Sequence, residues 1–513
     1  MKPQDEKDFT MMGRRMEPDL AALLGPDAFA ILSAPHRNFI DGQWRESLSG
    51  ETLPVIDPAT ECEIARIPRS GSADIDLAVI SARRAMESGP WSRMNGADRG
   101  RLLWRLADLL HQQADVFARL EALDTGRPVF ETRLVDLPGS TGMLEYMAGW
   151  ATKINGESVP VSAPGTFHAY TEREPVGVVA VIVPWNYPLE LAIWRMAPAL
   201  AAGCAVVVKP AEQTSLTTLH LGHLIEQAGF PPGVVNIVSG EGETAGAALA
   251  SHADVDAISF TGSTQVGRGI IRAAAGNMKR VFLELGGKSP MIVLDDADPE
   301  QAVPGIASAI FFSAGQVCTA GSRVFVHERI YDRLLDGITA FARNLAIGHG
   351  LDEATRLGPL VSAEQRDRVA GYLATASRAG TYFATGGAPV DGPGYFMQPT
   401  IAVDVDPEAA LYREEIFGPV LCVRRFGDGQ IDDVVRMAND TVYGLHASIW
   451  TTGLSRAHRL ARRIRAGNVC INTHNFFDPA LPMGGFKQSG WGRAAGFPAI
   501  EHYTELKGIV ARL

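Results

Sequence analysis

One cysteine in the chain lies in a segment that suits nucleophilic chemistry. Cys318 sits in FFSAGQVCTAGSR, after an apolar run and between small residues that leave its sulfur approachable. Thiolate is the attacking form of cysteine, so such a site needs a proton acceptor or a stabilising dipole nearby. The five cysteines are widely spaced and fit neither a disulfide framework nor a metal cluster. We therefore expect reduced thiols, with the other four acting as small apolar residues.

Two further segments carry residues that could assist such a cysteine. In LELGGKSP, Glu284 ends an apolar run beside two glycines, which allow close approach of backbone or ligand. A partly desolvated carboxylate there could accept protons near neutral pH, or it could be a salt-bridged structural residue. In PWNYP, the Asn186 amide could donate to a developing oxyanion, or it could satisfy carbonyls of its own turn.

Two segments suggest a nucleotide. VVVKPAE places Lys209 and Glu212 just after a predicted strand, where an acid would bind ribose hydroxyls and oppose an extra phosphate. FTGSTQVG, residues 260–267, offers a glycine turn, hydroxyls and a helix N-terminus to a phosphate. The alternatives are solvated surface charges for the first segment and an ordinary helix cap for the second.

These residues require a scaffold that brings them together. From residue 176 onward, short β-branched runs alternate with Ala- and Leu-rich segments of helical periodicity, which predicts α/β units with parallel sheets. Ligands of such doubly wound sheets bind at the carboxyl ends of the strands. One predicted set of strands is 176–183, 204–209, 234–238, 256–260 and 280–285. A second set is 290–294, 322–326, 418–426, 446–450 and 468–472.

Two extended segments have no predicted sheet of their own. They are the polar stretch between Trp150 and Glu174, and the tail HYTELKGIVARL. Unpaired edges invite pairing between subunits, so we expect a symmetric homo-oligomer, either dimer or tetramer. The first 35 residues look irregular.

Composition excludes several classes of function. The formal charge of −11 repels polyanions, so no nucleic-acid partner is expected. The longest apolar stretch, residues 196–208, is shorter than the roughly 20 residues of a membrane span. The acidic start lacks a secretory signal, so a cytoplasmic location without membrane partners is the expectation.

Taken together, the segments resemble the aldehyde dehydrogenase superfamily in order and separation. The resemblance spans residues 38–507 and includes EEIFGPV (414–420) and PMGGFKQSGWGR (482–493). It implies an α/β, aldehyde-dehydrogenase-like fold with three parts. These are a Rossmann-type NAD-binding domain (1–155 and 176–286, with an irregular extension 1–35), a second α/β domain carrying the nucleophile (287–487), and a β oligomerisation arm (156–175 and 488–513).

The resemblance also implies roles for individual residues. Cys318 would be the nucleophile, Glu284 the base, and Asn186 with the Cys318 N–H the oxyanion hole. An aldehyde would be oxidised to the acid through a thiohemiacetal and a thioester, with NAD as cofactor and no metal. The residues implied in cofactor binding are Val183, Trp185, Lys209, Glu212, Gly242, Phe260, Gly262, Ser263, Val266, Gly267, Leu285, Glu415 and Phe417.

The implied substrate pocket has aromatic walls. The sequence looks closest to phenylacetaldehyde and betaine aldehyde dehydrogenases, and such walls can stack an aryl ring or hold a cation. One departure is Glu190, where the family usually has an apolar residue. Glu190 either faces the tunnel, favouring a cationic or hydroxylated aldehyde, or it pairs with a basic neighbour such as Arg195 or lies outside the tunnel. The pocket residues are Tyr187, Glu190, Trp194, Phe312 and Phe477.

Two rival functions remain. A CoA-acylating enzyme would pass the thioester to coenzyme A, and the presence of Glu284 favours water instead. A catalytically idle binding or structural homologue would have lost Cys318, Glu284 or Asn186, and all three are present.

Overall fold

The N-terminal segment contains a kinked helix. The structure is a computed structural model and describes residues 19–513. Leu20–Ser33 is helical, with the Asp19 side chain accepting hydrogen bonds from N–H groups of the first turn. Gly25, which precedes a proline, has φ 75° and interrupts the helix. The prediction of an irregular segment is therefore wrong from Leu20 to Ser33, and its first part, residues 1–18, lies outside the described residues.

Strands fall where β-branched runs were predicted. The ten predicted strands are all present, with ends that agree within two residues. In chain order the strands are β1 (Asn38–Ile40), β2 (Gln43–Arg45), β3 (Thr52–Ile56), β4 (Glu63–Pro68), β5 (Phe167–Pro175), β6 (Val178–Ile182), β7 (Ala205–Lys209), β8 (Val235–Ile237), β9 (Ala257–Thr261), β10 (Arg280–Glu284), β11 (Pro290–Val293), β12 (Arg323–His327), β13 (Tyr382–Thr385), β14 (Thr400–Val403), β15 (Val420–Phe426), β16 (His446–Trp450), β17 (Asn468–Ile471), β18 (Gly490–Trp491) and β19 (Thr504–Arg512).

Helices fill the segments between the strands. In chain order they are α1 (Leu20–Ser33), α2 (Ser72–Glu87), α3 (Gly96–Gln112), α4 (Ala114–Thr125), α5 (Val129–Glu131), α6 (Leu137–Trp150), α7 (Pro188–Ala202), α8 (Leu216–Ala228), α9 (Ala247–Ser251), α10 (Thr264–Ala274), α11 (Pro299–Phe311), α12 (Glu328–Arg343), α13 (Ala363–Arg378), α14 (Ala410–Arg413), α15 (Ile431–Asn439), α16 (Leu454–Ala461) and α17 (Gly496–His502). Short 3₁₀ or π turns occupy Pro90–Arg93, Thr132–Asp136, Gly242–Gly246, Phe312–Gly315 and Lys487–Ser489.

The first sheet is the doubly wound one that the sequence predicted. Its order is β18-β10-β9-β6-β7-β8-β1-β2, and β10, β9, β6, β7 and β8 are mutually parallel. Strands β6, β7 and β9 are buried along their whole length because helices cover both faces, which explains their continuous apolar sequences. The short strands β1 and β2, which were not predicted, add antiparallel pairs at one edge.

The second sheet has the order β13-β14-β15-β12-β11-β16-β17 and is parallel except at β13. The α/β fold class with two sheets is therefore confirmed. Within residues 19–513, no helix is long and apolar enough to cross a membrane.

A two-stranded ribbon stands apart from both sheets. Strand β5 pairs antiparallel with β19 over nine residues, from Phe167↔Arg512 to Pro175↔Thr504. The predicted arm segment 488–513 is not uniform, however. Its strand β18 pairs with β10 in the first sheet, and α17 packs on α7. Only β19 extends into the ribbon.

Candidate active site

A cavity of about 670 Å³ lies where the carboxyl ends of the first sheet face the second sheet. Its walls come from the segments that follow β6, β9 and β10, from α7, α11 and α13, and from the segment after β17. Fourteen of the predicted site residues line it together: Trp185, Asn186, Tyr187, Glu190, Trp194, Gly262, Ser263, Glu284, Leu285, Phe312, Cys318, Glu415, Phe417 and Phe477.

The backbone just before Cys318 is left-handed at three successive residues. Ser313, Ala314 and Gly315 have φ of 51°, 52° and 71°. This conformation costs a residue with a side chain about 1 kcal/mol or more and persists only where the surroundings hold it. At Gly315 a Cβ would lie 2.1 Å from the carbonyl oxygen of Gly418, so only glycine fits there.

A buried cluster of charged side chains holds this turn. Ser313 donates its N–H (3.1 Å) and hydroxyl (2.9 Å) to Glu131, and its hydroxyl accepts from Nε of Arg127 at 2.9 Å. Arg127 also donates to both oxygens of Asp136, at 2.7 and 2.9 Å. These four side chains are at most 1% exposed. This cluster holds the turn that precedes Cys318, and the sequence analysis did not find it.

Cys318 and Glu284 line the same cavity, and burial favours the neutral form of both side chains. Burial raises the pKa of the Cys318 thiol to about 12, and the nearby Glu284 and Glu415 carboxyls add to the shift. Burial also raises the pKa of Glu284 to about 7. The Oε2 atom of Glu284 is buried and has no hydrogen-bond partner within residues 19–513. Glu284 is therefore a stronger base than an ordinary carboxylate and has an oxygen free to take a proton.

Arg195 is a buried cation that acts on both members of this pair. Its side chain is buried on α7, and its Nε donates to Oγ1 of Thr261 at 3.2 Å. Thr261 is the register partner of Glu284 between β9 and β10. The guanidinium lowers the pKa of both Glu284 and Cys318, against the larger effect of burial. Because Arg195 serves this pair, the expected alternative in which it pairs with Glu190 is not observed among the described residues.

Asn186 directs its amide toward the nucleophile segment. Its Nδ2 donates one hydrogen bond to the carbonyl of Gln316 at 2.8 Å, and Arg127 donates a hydrogen bond to the Asn186 carbonyl at 3.1 Å. A carboxamide nitrogen carries two N–H groups, so one stays available for an oxygen in the cavity. Asn186 thus satisfies a carbonyl of the turn before Cys318 and not one of its own turn, and its second N–H is left for an oxygen in the cavity.

Two glycines bring the ends of both sheets into contact. A Cβ on Gly286 would lie 2.2 Å from the Glu415 carboxylate, and one on Gly287 would lie 2.4 Å from the carbonyl oxygen of Cys318. The Gly287 N–H donates to Glu415 at 2.8 Å. The close approach that the sequence predicted at LELGGKSP is present, and it places Glu415 beside the reactive pair.

A histidine that the sequence analysis missed supports the nucleophile segment. His474 lines the cavity and contacts the carbonyl of Thr319, the residue after the cysteine, at 2.9 Å. Its other ring nitrogen lies 2.8 Å from the hydroxyl of Ser448. Burial lowers the pKa of His474 to about 4, so the ring is neutral at pH 7 and donates to the carbonyl.

The remaining predicted cofactor residues lie along the same edge of the first sheet, outside the cavity lining. Lys209 ends β7 and is buried, with Nζ bonded to the Pro210 carbonyl at 2.7 Å and to Glu212 at 3.4 Å. The pair is an ion pair in which Glu212 stays partly exposed. The seven residues of this group are Val183, Lys209, Glu212, Gly242, Phe260, Val266 and Gly267.

These residues suit a dinucleotide laid across the strand ends. A Cβ on Gly242 would meet nothing within 4 Å, so a ligand has open space there. Helix α10 begins beside the cavity at its N-cap Ser263 and turns its positive end toward it. The rings of Trp185 and Phe417, which both line the cavity, meet edge-on with centroids 5.2 Å apart. No group of side chains able to hold a metal ion is found within residues 19–513.

A cysteine thiol and an unpaired carboxyl thus line one cavity at the strand ends of a dinucleotide-type sheet. The sequence profile of the aldehyde dehydrogenase family matches residues 44–509. Phenylacetaldehyde dehydrogenase of Pseudomonas fluorescens is 46% identical over 485 residues, covering 93% of this chain and 96% of that protein. The chain therefore belongs to the aldehyde dehydrogenase family.

Solved structures agree with this assignment. The NAD⁺ complex of aldehyde dehydrogenase from Bacillus cereus superposes with a TM-score of 0.93 at 43% identity, covering 95% of this chain and 99% of that one. Betaine aldehyde dehydrogenase from Staphylococcus aureus, in complex with NAD⁺, gives a TM-score of 0.92 at 37% identity, covering 95% and 97%.

Proposed function

We propose that this protein oxidises an aldehyde to the carboxylic acid with NAD, through a thioester on Cys318. The observation that carries the proposal is the unpaired Glu284 carboxyl in the cavity that Cys318 lines. NAD, when bound, accepts the hydride that leaves the aldehyde carbon. Trp185, Phe417 and Glu415 would hold its nicotinamide end, and Lys209 with Glu212 its adenosine ribose.

The first step is the addition of the sulfur to the aldehyde. Glu284 takes the thiol proton, which lowers the cost of forming a thiolate in a buried site. The sulfur forms a bond to the carbonyl carbon, and the carbonyl oxygen becomes an oxyanion. Asn186 offers its second amide N–H to this oxyanion, and the backbone N–H of Cys318 has no acceptor within residues 19–513. Both donors are held before the reaction, which is what makes such stabilisation effective.

The second step is hydrolysis of the thioester. Loss of hydride leaves an acyl group on sulfur, and Glu284 gives the thiol proton to solvent. Glu284 then removes a proton from water that attacks the acyl carbon. The carbon–sulfur bond breaks, the acid leaves, and Glu284 returns its proton to the thiolate. A free Glu284 oxygen inside the cavity supports water rather than coenzyme A as the acyl acceptor.

The side chains around the far part of the cavity favour an aromatic or cationic aldehyde. Trp194 and Phe477 meet edge-on with ring centroids 6.5 Å apart, and Tyr187 and Phe312 complete the wall. Such rings stack on an aryl group or face a cation.

A screen of NADH formation tests the proposal. Aryl, aliphatic and cationic aldehydes are supplied with NAD and without coenzyme A, and Cys318→Ala serves as the blank. We expect turnover that the blank lacks. Absence of NADH formation with every aldehyde, or an absolute need for coenzyme A, would contradict the proposal.

We further propose that the ribbon of β5 and β19 joins subunits in a dimer or tetramer. Its strands carry exposed apolar side chains, Leu506 and Val510 among them. An exposed edge of this kind is satisfied by pairing with a second chain. Light scattering of the intact protein and of a chain truncated after Tyr503 should give different masses, and equal masses would refute the assignment.

A further inference from the structure

Glu190 is the one acidic side chain in the aromatic part of the cavity, among the described residues. It lies on α7 between Tyr187 and Trp194 and keeps about 9% of its surface exposed. The other charged side chains of the lining lie elsewhere. Glu284 faces the cysteine, and Glu364, Arg368 and Glu415 belong to α13 and the segment that α13 contacts.

The Glu190 carboxyl packs against the backbone of α6. A Cβ on Gly139 would lie only 2.3 Å from Oε1 of Glu190, so the carboxyl rests directly against the backbone of α6. The Gly139 carbonyl accepts from Nε1 of Trp194 at 3.1 Å. The acid and the indole ring are therefore both anchored at one point on α6, and the ring wall and the carboxyl are held next to each other.

The groups that face Glu190 leave it without a counterion. Asp136 at the start of α6 and Glu121 on α4 are acids, and Arg127 is the cation among them. Arg127 is already bound to Asp136 through two hydrogen bonds. No hydrogen bond or ion pair to the Glu190 carboxyl is found within residues 19–513.

The titration of Glu190 follows from this setting. Burial, with the nearby Asp136 and Glu121, raises the pKa of Glu190 well above its usual value, and Arg127 opposes this only in part. Burial therefore disfavours the ionised form of Glu190 when no cation is nearby. A positive charge in the cavity would favour its ionised form.

We propose that Glu190 selects aldehydes whose far end carries a quaternary or primary ammonium, and that it releases its proton when such a cation binds. The cation rests against the faces of Trp194 and Phe477 while the ionised carboxyl neutralises it. The aldehyde end then reaches Cys318. This inference rests on the proposed function for the reaction and adds the residue that sets its substrate class.

A pair of isosteres tests the selection. Trimethylammonioacetaldehyde and 3,3-dimethylbutanal differ only in N⁺ against C, so their ratio of kcat/KM isolates the charge. We expect Glu190→Gln to lower this charged-to-neutral ratio by roughly tenfold, about 1.4 kcal/mol. The control is Glu145→Gln, which makes the same change on the exposed side of α6 and should leave the ratio as in the wild type. A ratio in Glu190→Gln within twofold of wild type would overturn the proposal.

Proton release is measured separately, and without turnover. Choline and 3,3-dimethylbutan-1-ol are the matching alcohols, and calorimetry of the NAD complex in two buffers of different ionisation enthalpy counts protons released on binding. We expect a proton to be released with choline at pH 7, none with the neutral alcohol, and none in Glu190→Gln. Choline binding without proton release would refute the inference. Because this assay needs no aldehyde oxidation, failure of the proposed reaction and failure of the inference are distinguishable.

Discussion

Catalytic efficiency should rise with pH in a range where an ordinary glutamate would no longer titrate. With a pKa of about 7 for Glu284, roughly 10% of the side chain is ionised at pH 6 and roughly 90% at pH 8. An unperturbed glutamate would be more than about 95% ionised at both pH values. kcat/KM is therefore expected to rise about ninefold between pH 6 and pH 8, whereas an unperturbed glutamate would leave it almost unchanged.

The assay follows NADH absorbance with phenylacetaldehyde at constant ionic strength. The Cys318 thiol does not titrate in this range, since its pKa is raised to about 12, so the profile reports Glu284. Glu284→Gln should lower kcat by roughly 10² to 10⁴ and abolish the rise. Arg195→Met removes the cation that lowers the pKa of Glu284 and should move the midpoint upward. A wild-type kcat/KM that changes less than twofold from pH 6 to 8 would refute the role of the buried carboxyl.

Three other predictions test neighbouring parts of the structure. Arg127→Met leaves Asp136 buried without its partner and should lower the free energy of unfolding by about 3 kcal/mol or more, seen as a lower denaturation midpoint; an unchanged midpoint would contradict the clamp. NAD should be preferred over NADP, and Glu212→Ser should improve the relative kcat/KM with NADP by roughly tenfold; unchanged discrimination would exclude Glu212 as its cause. Burial and nearby Asp136 raise the pKa of Glu121 to about 8. The stability that its protonated form contributes is therefore present below the unfolded pKa and is lost as pH rises through about 8. Between pH 6 and 9 the melting temperature of Glu121→Gln should fall less than that of the wild type, and equal falls would contradict this assignment.

The sequence predicted those features of the fold that depend on local pattern. β-branched runs such as 205–209 are buried on both faces, so their continuous apolar character identified the parallel strands. Cys318 and Glu284 follow turns or strands whose ends meet by topology, which is why the sequence could place both in one cavity. Helix α1 was missed because Gly25 and the proline after it resemble a loop, although both halves of the segment are helical.

Features that depend on distant contacts were beyond sequence reasoning. The hydrogen bond from Arg127 to Ser313 joins residues 186 positions apart, and no sequence pattern near either residue predicts it. The orientation of Glu190 was also undetermined, because α7 is buried on almost every side. A helical spacing identifies one face of a helix, and it does not distinguish a cavity from a neighbouring helix when both are buried.

Arg127 is the point at which the separate parts of the site are joined. It donates to the carbonyl of Asn186, to the hydroxyl of Ser313 and to both oxygens of Asp136, and its guanidinium lies 3.9 Å from the centre of the Tyr187 ring. The backbone of Asn186, the turn before Cys318 and the Tyr187 ring are thus fixed by one planar group. Lysine has a single ammonium and no planar fork, so it could not keep these bonds and the ring contact together. The buried cation orders the site because its five donors point in fixed directions, and its charge alone would not achieve this.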